Sequence, residues 1–178
     1  MKTDILAFGA HPDDVELSCS GTILKHISLG KTVVIIDLTM GELGTRGTAE
    51  IRDKEASEAA KILGVNIREN MNFADGFFEN SEENQLALVV KIRKYQPEIV
   101  LANAVNDRHP DHGRAAKLVS DACFLSGLQK IKTSDADGEQ LPWRPKAVYH
   151  DIQDRYMKPD FVVDISPFME QRMASIKA

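Results

Sequence analysis

The chain has 178 residues, 22 of them basic and 27 acidic, for a net charge of −5. An acidic chain has no general attraction for nucleic-acid phosphates or anionic lipid, and no apolar run approaches the roughly 20 residues that span a bilayer. A length near the roughly 150-residue prior for one domain predicts a single packed domain over 1–178; 43% hydrophobic against 28% charged residues excludes a disordered chain.

Short apolar runs alternate with amphipathic segments, the pattern of repeated strand and helix units. The first strand is expected near Asp4 to Ala10, followed by a helix near Glu16 to Leu29 that Gly30 stops. Thr32 to Thr39 is apolar at nearly every position, as a strand buried on both faces should be. A Gly-rich loop from Met40 to Gly47 leads into a helix over about Thr48 to Leu63, with Gly64 as its stop. Asn66 to Phe73 is a weaker strand, and Glu82 to Tyr95 a helix halted ahead of Pro97. Glu98 to Ala102 then reads as a buried strand and Asp111 to Ser126 as a helix. Ile131 to Pro145 is polar and loop-like, Ala147 to Asp151 and Phe161 to Ile165 are late strand candidates, and Pro167 to Ala178 has helix-forming composition. The expected fold is therefore α/β, a Rossmann-like and mostly parallel sheet with helices on both faces. The start of the chain, with Asp4 at the head of its apolar run, carries no small-residue cleavage site, and Cys19 and Cys123 form no CxxC. A cytoplasmic location with two reduced, buried thiols is expected.

In open α/β sheets ligands bind beyond the carboxyl ends of the strands. Two loops there carry three of the five histidines: Ala10-His11-Pro12-Asp13-Asp14 after the first strand, and Asn106-Asp107-Arg108-His109-Pro110-Asp111-His112 after the strand ending at Ala102. Either loop alone also reads as an Asp-rich capped turn; the pair points to a metal. Histidine and aspartate without thiolates suit a zinc site with three protein ligands and one position left for water. His11, Asp14 and a histidine of the second loop make such a set, leaving Asp13 as a general base beside the water. Phe8-Gly9-Ala10-His11-Pro12-Asp13 lacks the glycine spacing of a dinucleotide fingerprint, and no Walker pattern is present. His26, inside a helix, and His150, at the end of a late strand, are expected to be structural.

Ala10-His11-Pro12-Asp13-Asp14, the loop Gly41-Glu42-Leu43-Gly44-Thr45-Arg46-Gly47, Arg52 with Glu55, and His109-Pro110-Asp111-His112 resemble the LmbE/PIG-L family of zinc-dependent N-deacetylases. The same glycine-rich loop, with Phe161-Val162-Val163-Asp164-Ile165-Ser166, is similar to the bacillithiol biosynthesis deacetylases of that family. The resemblance implies that His11, Asp14 and His112 bind Zn2+ and that Asp13 is the base. It further implies that His109 stabilises the oxyanion and that Asp111 orients its ring. The implied reaction releases acetate and a free amine from an N-acetylglucosamine conjugate such as N-acetylglucosaminyl malate. Glu42 and Arg52 are candidates for sugar or carboxylate contacts, or alternatively for a loop anchor or helix-entry ion pair. A related amidase acting on another glycoside and a catalytically silent metal- or sugar-binding module are the rival readings. The resemblance also implies homo-oligomers, trimers or hexamers, and a family C-terminal segment that the domain lacks, with Phe168 to Ala178 as the opening of a final helix.

Overall fold

The structure, a computed structural model, describes residues 2–178. Strands are β1 (Ile5–Gly9), β2 (Val33–Thr39), β3 (Ile67–Phe73), β4 (Ile99–Ala102), a short pair β5 (Ser134–Asp135) and β6 (Gly138–Glu139), and β7 (Ala147–His150). Helices are α1 (Asp14–Ser18), α2 (Ser20–Ser28), α3 (Ala49–Leu63), α4 (Glu82–Tyr95), α5 (Pro110–Ser126) and α6 (Met169–Ile176), the last entered through a 3-10 turn at Ser166–Phe168. Five strands form one parallel sheet in the order β3-β2-β1-β4-β7. β1 lies at its centre, with Ile5 opposite both Val33 and Ile99.

Alternate residues along the central strands feed two cores, which is why these strands are apolar on both faces. Leu6, Phe8, Val34, Ile36 and Val100 pack with Leu88, Ile92, Leu118 and Val119 of α4 and α5. Ile5, Ala7, Val33, Ile35 and Leu101 pack on the opposite face with Val15, Ile23, Leu24, Ala60 and Leu63. The expected layers are present. No helix among the described residues is long and apolar enough to cross a membrane, and Cys19 and Cys123 are both free and buried.

The helix expected over Glu16 to Leu29 is instead two helices meeting at Cys19, whose φ of −124° leaves the helical region. Ser18 Oγ bonds Asp14 O at 2.7 Å and Ser20 Oγ bonds Glu16 O at 2.6 Å; such back-bonding by serine bends helices. Phe161–Ile165 is not a strand. It crosses α2 instead, where Lys25 Nζ donates to Asp164 O and Ile165 fills the space over Gly21: a Cβ there would lie 2.4 Å from Ile165 Cδ1. The β5–β6 hairpin inside the polar loop was not expected.

Candidate metal centre

Parallel pairing of β1 with β4 brings both histidine-bearing loops to one sheet edge. The first is a tight turn: the amides of Asp13 and Asp14 donate to His11 O, and His11 N donates to Asp14 Oδ2 at 2.9 Å. Asn103, just beyond β4, fastens it to the second loop, accepting from Ala10 N at 2.9 Å and donating to Asp14 Oδ2 at 3.0 Å. Pro110 sets the first turn of α5, with His109 as its N-cap. These constraints bring His112 Nε2 to 3.0 Å from Asp14 Oδ1, and His11 Nδ1 to 3.3 Å from Asp14 Oδ2. His109 completes the group, its ring centroid 4.6 Å from that of His11 and 5.1 Å from that of His112.

Carboxylates stand behind both outer histidines. His11 Nε2 lies 3.1 Å from Asp75 Oδ1 and 3.4 Å from Asp111 Oδ2. His112 Nδ1, buried, lies 3.2 Å from Asp107 Oδ1, although not aligned as a hydrogen bond. Burial opposes charge on His11, yet Asp14, Asp75 and Asp111 together push its pKa up to about 9. His112 is likewise raised, against burial, by Asp14 and Asp107. Burial favours a neutral Asp14, but hydrogen bonds with His11 and His112 hold its carboxyl well below the ordinary range. Burial, then the charges of His11 and His112, lower the pKa of His109. Its Nδ1 accepts from Asp111 N at 3.3 Å, so the neutral ring carries its proton on Nε2.

Asp13 faces the opening, its side chain 57% exposed, with Oδ2 3.3 Å from Arg52 Nη2. Both line an open cleft of about 700 Å³ with His11, Asp14, His109 and His112. Arg52 lies against the backbone of the Gly-rich loop, where a Cβ on Gly41 would come within 2.7 Å of its Nε. Glu42 takes the loop-anchor place of its two expected ones, and Asp111 meets His109 through its main chain. Glu42 does not line this cleft: it anchors its loop, Oε1 accepting from Asp75 N at 2.8 Å. Asp111 orients His109 through its backbone amide; its carboxylate accepts from Gly76 N and Arg114 instead, held there by the turn after β3. His26 bonds Thr22 O within its own helix, and His150 ties Asn103 O to Ser120 Oγ, as structural residues.

Residues 6–123, which contain both loops, match the PIG-L family, described as GlcNAc-PI de-N-acetylase. The chain belongs to that family. It is 32% identical to the diacetylchitobiose deacetylase of Thermococcus kodakarensis, over 97% of this chain and 67% of that one. It is 29% identical to a probable N-acetyl-α-D-glucosaminyl L-malate deacetylase 2 of Bacillus anthracis, over 66% of this chain and 58% of the relative. A conserved protein of Thermus thermophilus superposes with a TM-score of 0.90 at 38% identity, covering 98% of this chain and 77% of that one. As a PIG-L protein the chain is an N-deacetylase of a metal-dependent family.

The residues fit a metal. Nitrogens of His11, His109 and His112 lie within 4.8 Å of one another, and Asp14 sets its two oxygens against two of these rings. Paired imidazole and carboxylate donors without sulfur suit a borderline divalent ion. A second group, His11 with Asp75 and Asp111, also converges. There the carboxylates are already engaged, Asp75 Oδ2 by Leu43 N and Asp111 by Gly76 N and Arg114, so they act as supports for His11 Nε2. Asp75, Asn103 and Asp107 were missed in the sequence. Each lies at or just past a strand's carboxyl end, so the strand-end rule that found His11 was the available signal.

Proposed function

We propose that this PIG-L protein hydrolyses the N-acetyl group of an N-acetylglucosamine conjugate, of which N-acetylglucosaminyl malate is the leading candidate, with Zn2+ held by His11, Asp14 and His112. The observation that carries this reading is the convergence of those three side chains beside an accessible carboxylate, Asp13. Zinc held there would lower the pKa of a water molecule and polarise the acetyl carbonyl. Asp13 takes a proton from the attacking water and later delivers it to the departing amide nitrogen, so acetate and an amine leave. The Nε2–H of His109 donates to the oxyanion as the tetrahedral centre forms. Arg52, 3.3 Å from Asp13, limits the swing of the base. Two unpaired buried cysteines support work in the reducing cytoplasm.

The test combines metal analysis with acetate release from N-acetylglucosaminyl malate, diacetylchitobiose and N-acetylglucosamine. One zinc per chain and acetate from the malate conjugate are expected, with Asp13→Asn keeping zinc while kcat falls by about 10²–10⁴-fold. Full activity in that variant removes Asp13 as base. Zinc binding with no acetate from any of the three favours a silent binding module, and faster turnover of diacetylchitobiose moves the substrate assignment there.

A further inference from the structure

Asp107 lies on the second of the two loops that meet at the metal centre, two residues before His109. Its side chain is 1% exposed. Oδ1 accepts from His109 N at 2.9 Å and faces His112 Nδ1 at 3.2 Å. Oδ2 accepts from the amide of Asp154 at 3.2 Å, on the segment that carries Gln153 and Asp154 to the cleft wall. One buried carboxylate thus touches the backbone of the proposed oxyanion residue, the far side of a proposed ligand and the Gln153–Asp154 part of the cleft lining.

A neutral imidazole carries one N–H, and the partner of one nitrogen decides which nitrogen is free to ligate. An ionised carboxylate only accepts. Among the described residues His112 Nδ1 has no hydrogen-bond partner, and the nearby acceptor is Asp107. We infer that Asp107 is the positioning residue that fixes the His112 tautomer, holding the proton on Nδ1 so that the Nε2 lone pair faces the metal alongside Asp14, and that its second oxygen ties this ligand to the cleft lining at Gln153 and Asp154. This rests on the zinc reading above. His11 is arranged in the opposite sense: Asp75 meets its Nε2, leaving Nδ1 toward Asp14. The two proposed ligand histidines are then held in opposite tautomers, His112 by Asp107 and His11 by Asp75 with Asp111 beside it.

The test is zinc affinity, measured by competition with a chromophoric chelator, in the wild type and in His112→Ala, Asp107→Asn and Asp107→Ala. Alongside it, ¹⁵N-histidine NMR is recorded on the zinc-loaded proteins. Loss of a carboxylate behind a ligating histidine typically weakens metal binding by about 10–100-fold. The isosteric Asp107→Asn, which keeps an acceptor, is expected near the low end and Asp107→Ala near the high end. The wild type should show a protonated His112 Nδ1 and a ligated Nε2, with the Nδ1–H signal shifted and exchanging faster in both variants. Wild-type affinity in both Asp107 variants, with binding lost in His112→Ala, overturns this inference and leaves the zinc reading intact. Weaker binding with an unchanged His112 spectrum also overturns it, leaving Asp107 a structural role only. A wild type that binds no zinc overturns the zinc reading itself.

Discussion

Asp151 is a carboxylate that burial makes costly to ionise, next to the helix that carries Asp14. Ser18 Oγ lies 2.7 Å from Asp14 O and 2.9 Å from Asp151 Oδ2. A hydroxyl has one proton, so Ser18 shares it between the Asp14 carbonyl and the Asp151 carboxylate, and its donation to Asp151 favours the ionised acid against burial. Burial pushes the Asp151 pKa up to about 6, with Asp14 adding to it and Ser18 opposing. Its folded pKa therefore exceeds the unfolded value near 3.8. The contribution of protonated Asp151 is complete below that value, is lost as pH rises through about 6, and stays lost above. Asp151→Asn, a neutral isostere that keeps an acceptor for Ser18, is expected to be about 1–3 kcal/mol more stable than wild type at pH 7. The gap should close below about pH 4. Urea unfolding at both pH values checks this, and an equal gap at both would show that the proton plays no part.

At the scale of elements, Arg68 joins four elements of the fold near the site. From β3 it grips Glu16 of α1 through two contacts, the closest at 2.5 Å, and Asp37 of β2 at 2.6 and 3.0 Å, and it donates to Ala56 O of α3. Glu16 lies on the short helix that begins with Asp14, so this clamp steadies the loop of the proposed ligands His11 and Asp14. Arg68→Met leaves two buried carboxylates without their cation, and a loss of about 3–5 kcal/mol is expected in urea unfolding. Adding Glu16→Gln and Asp37→Asn should recover most of it. No recovery would mean that packing, not charge, sets the cost. The elements differ in how well they could be read. β1, β2 and β4 were legible because burial on both faces leaves continuous apolar runs, and α4 because Pro97 marks its end. The break at Cys19 was not, since it depends on where two serine hydroxyls point, and Phe161–Ile165 was misread because apolar alternation does not say whether an edge or a helix receives it. The same limit applied at the site. His11, Asp14 and His112 follow from motif and strand end; Asp75, Asn103 and Asp107 also lie past strand ends, but which side chains there turn toward the histidines is decided by tertiary contacts.

For the whole molecule, what matters is that the proposed ligands come from two neighbouring strands. His11 and Asp14 follow β1 and His112 follows β4, so a bound ion cross-links segments about a hundred residues apart in sequence. The unfolded chain cannot present such a set, so binding free energy becomes folding free energy. At a free zinc concentration about 100 times Kd the folded state gains about 2.7 kcal/mol. For a chain of this size that is a rise in Tm of roughly 5–10 °C. The rise should depend on pH in a fixed direction. His11 and His112 hold raised pKa values without metal, and a ligating imidazole must be deprotonated, so zinc displaces protons from both. Apparent affinity, and with it the rise in Tm at fixed zinc, is expected to grow as pH increases from about 6 toward about 9 and to shrink on acidification. Thermal melts at matched total zinc across that range, with a chelator-treated sample at each pH, give the difference directly. A rise in Tm that is independent of pH would mean that zinc stabilises the protein at groups other than these histidines, and no rise at any pH would remove the cross-link altogether.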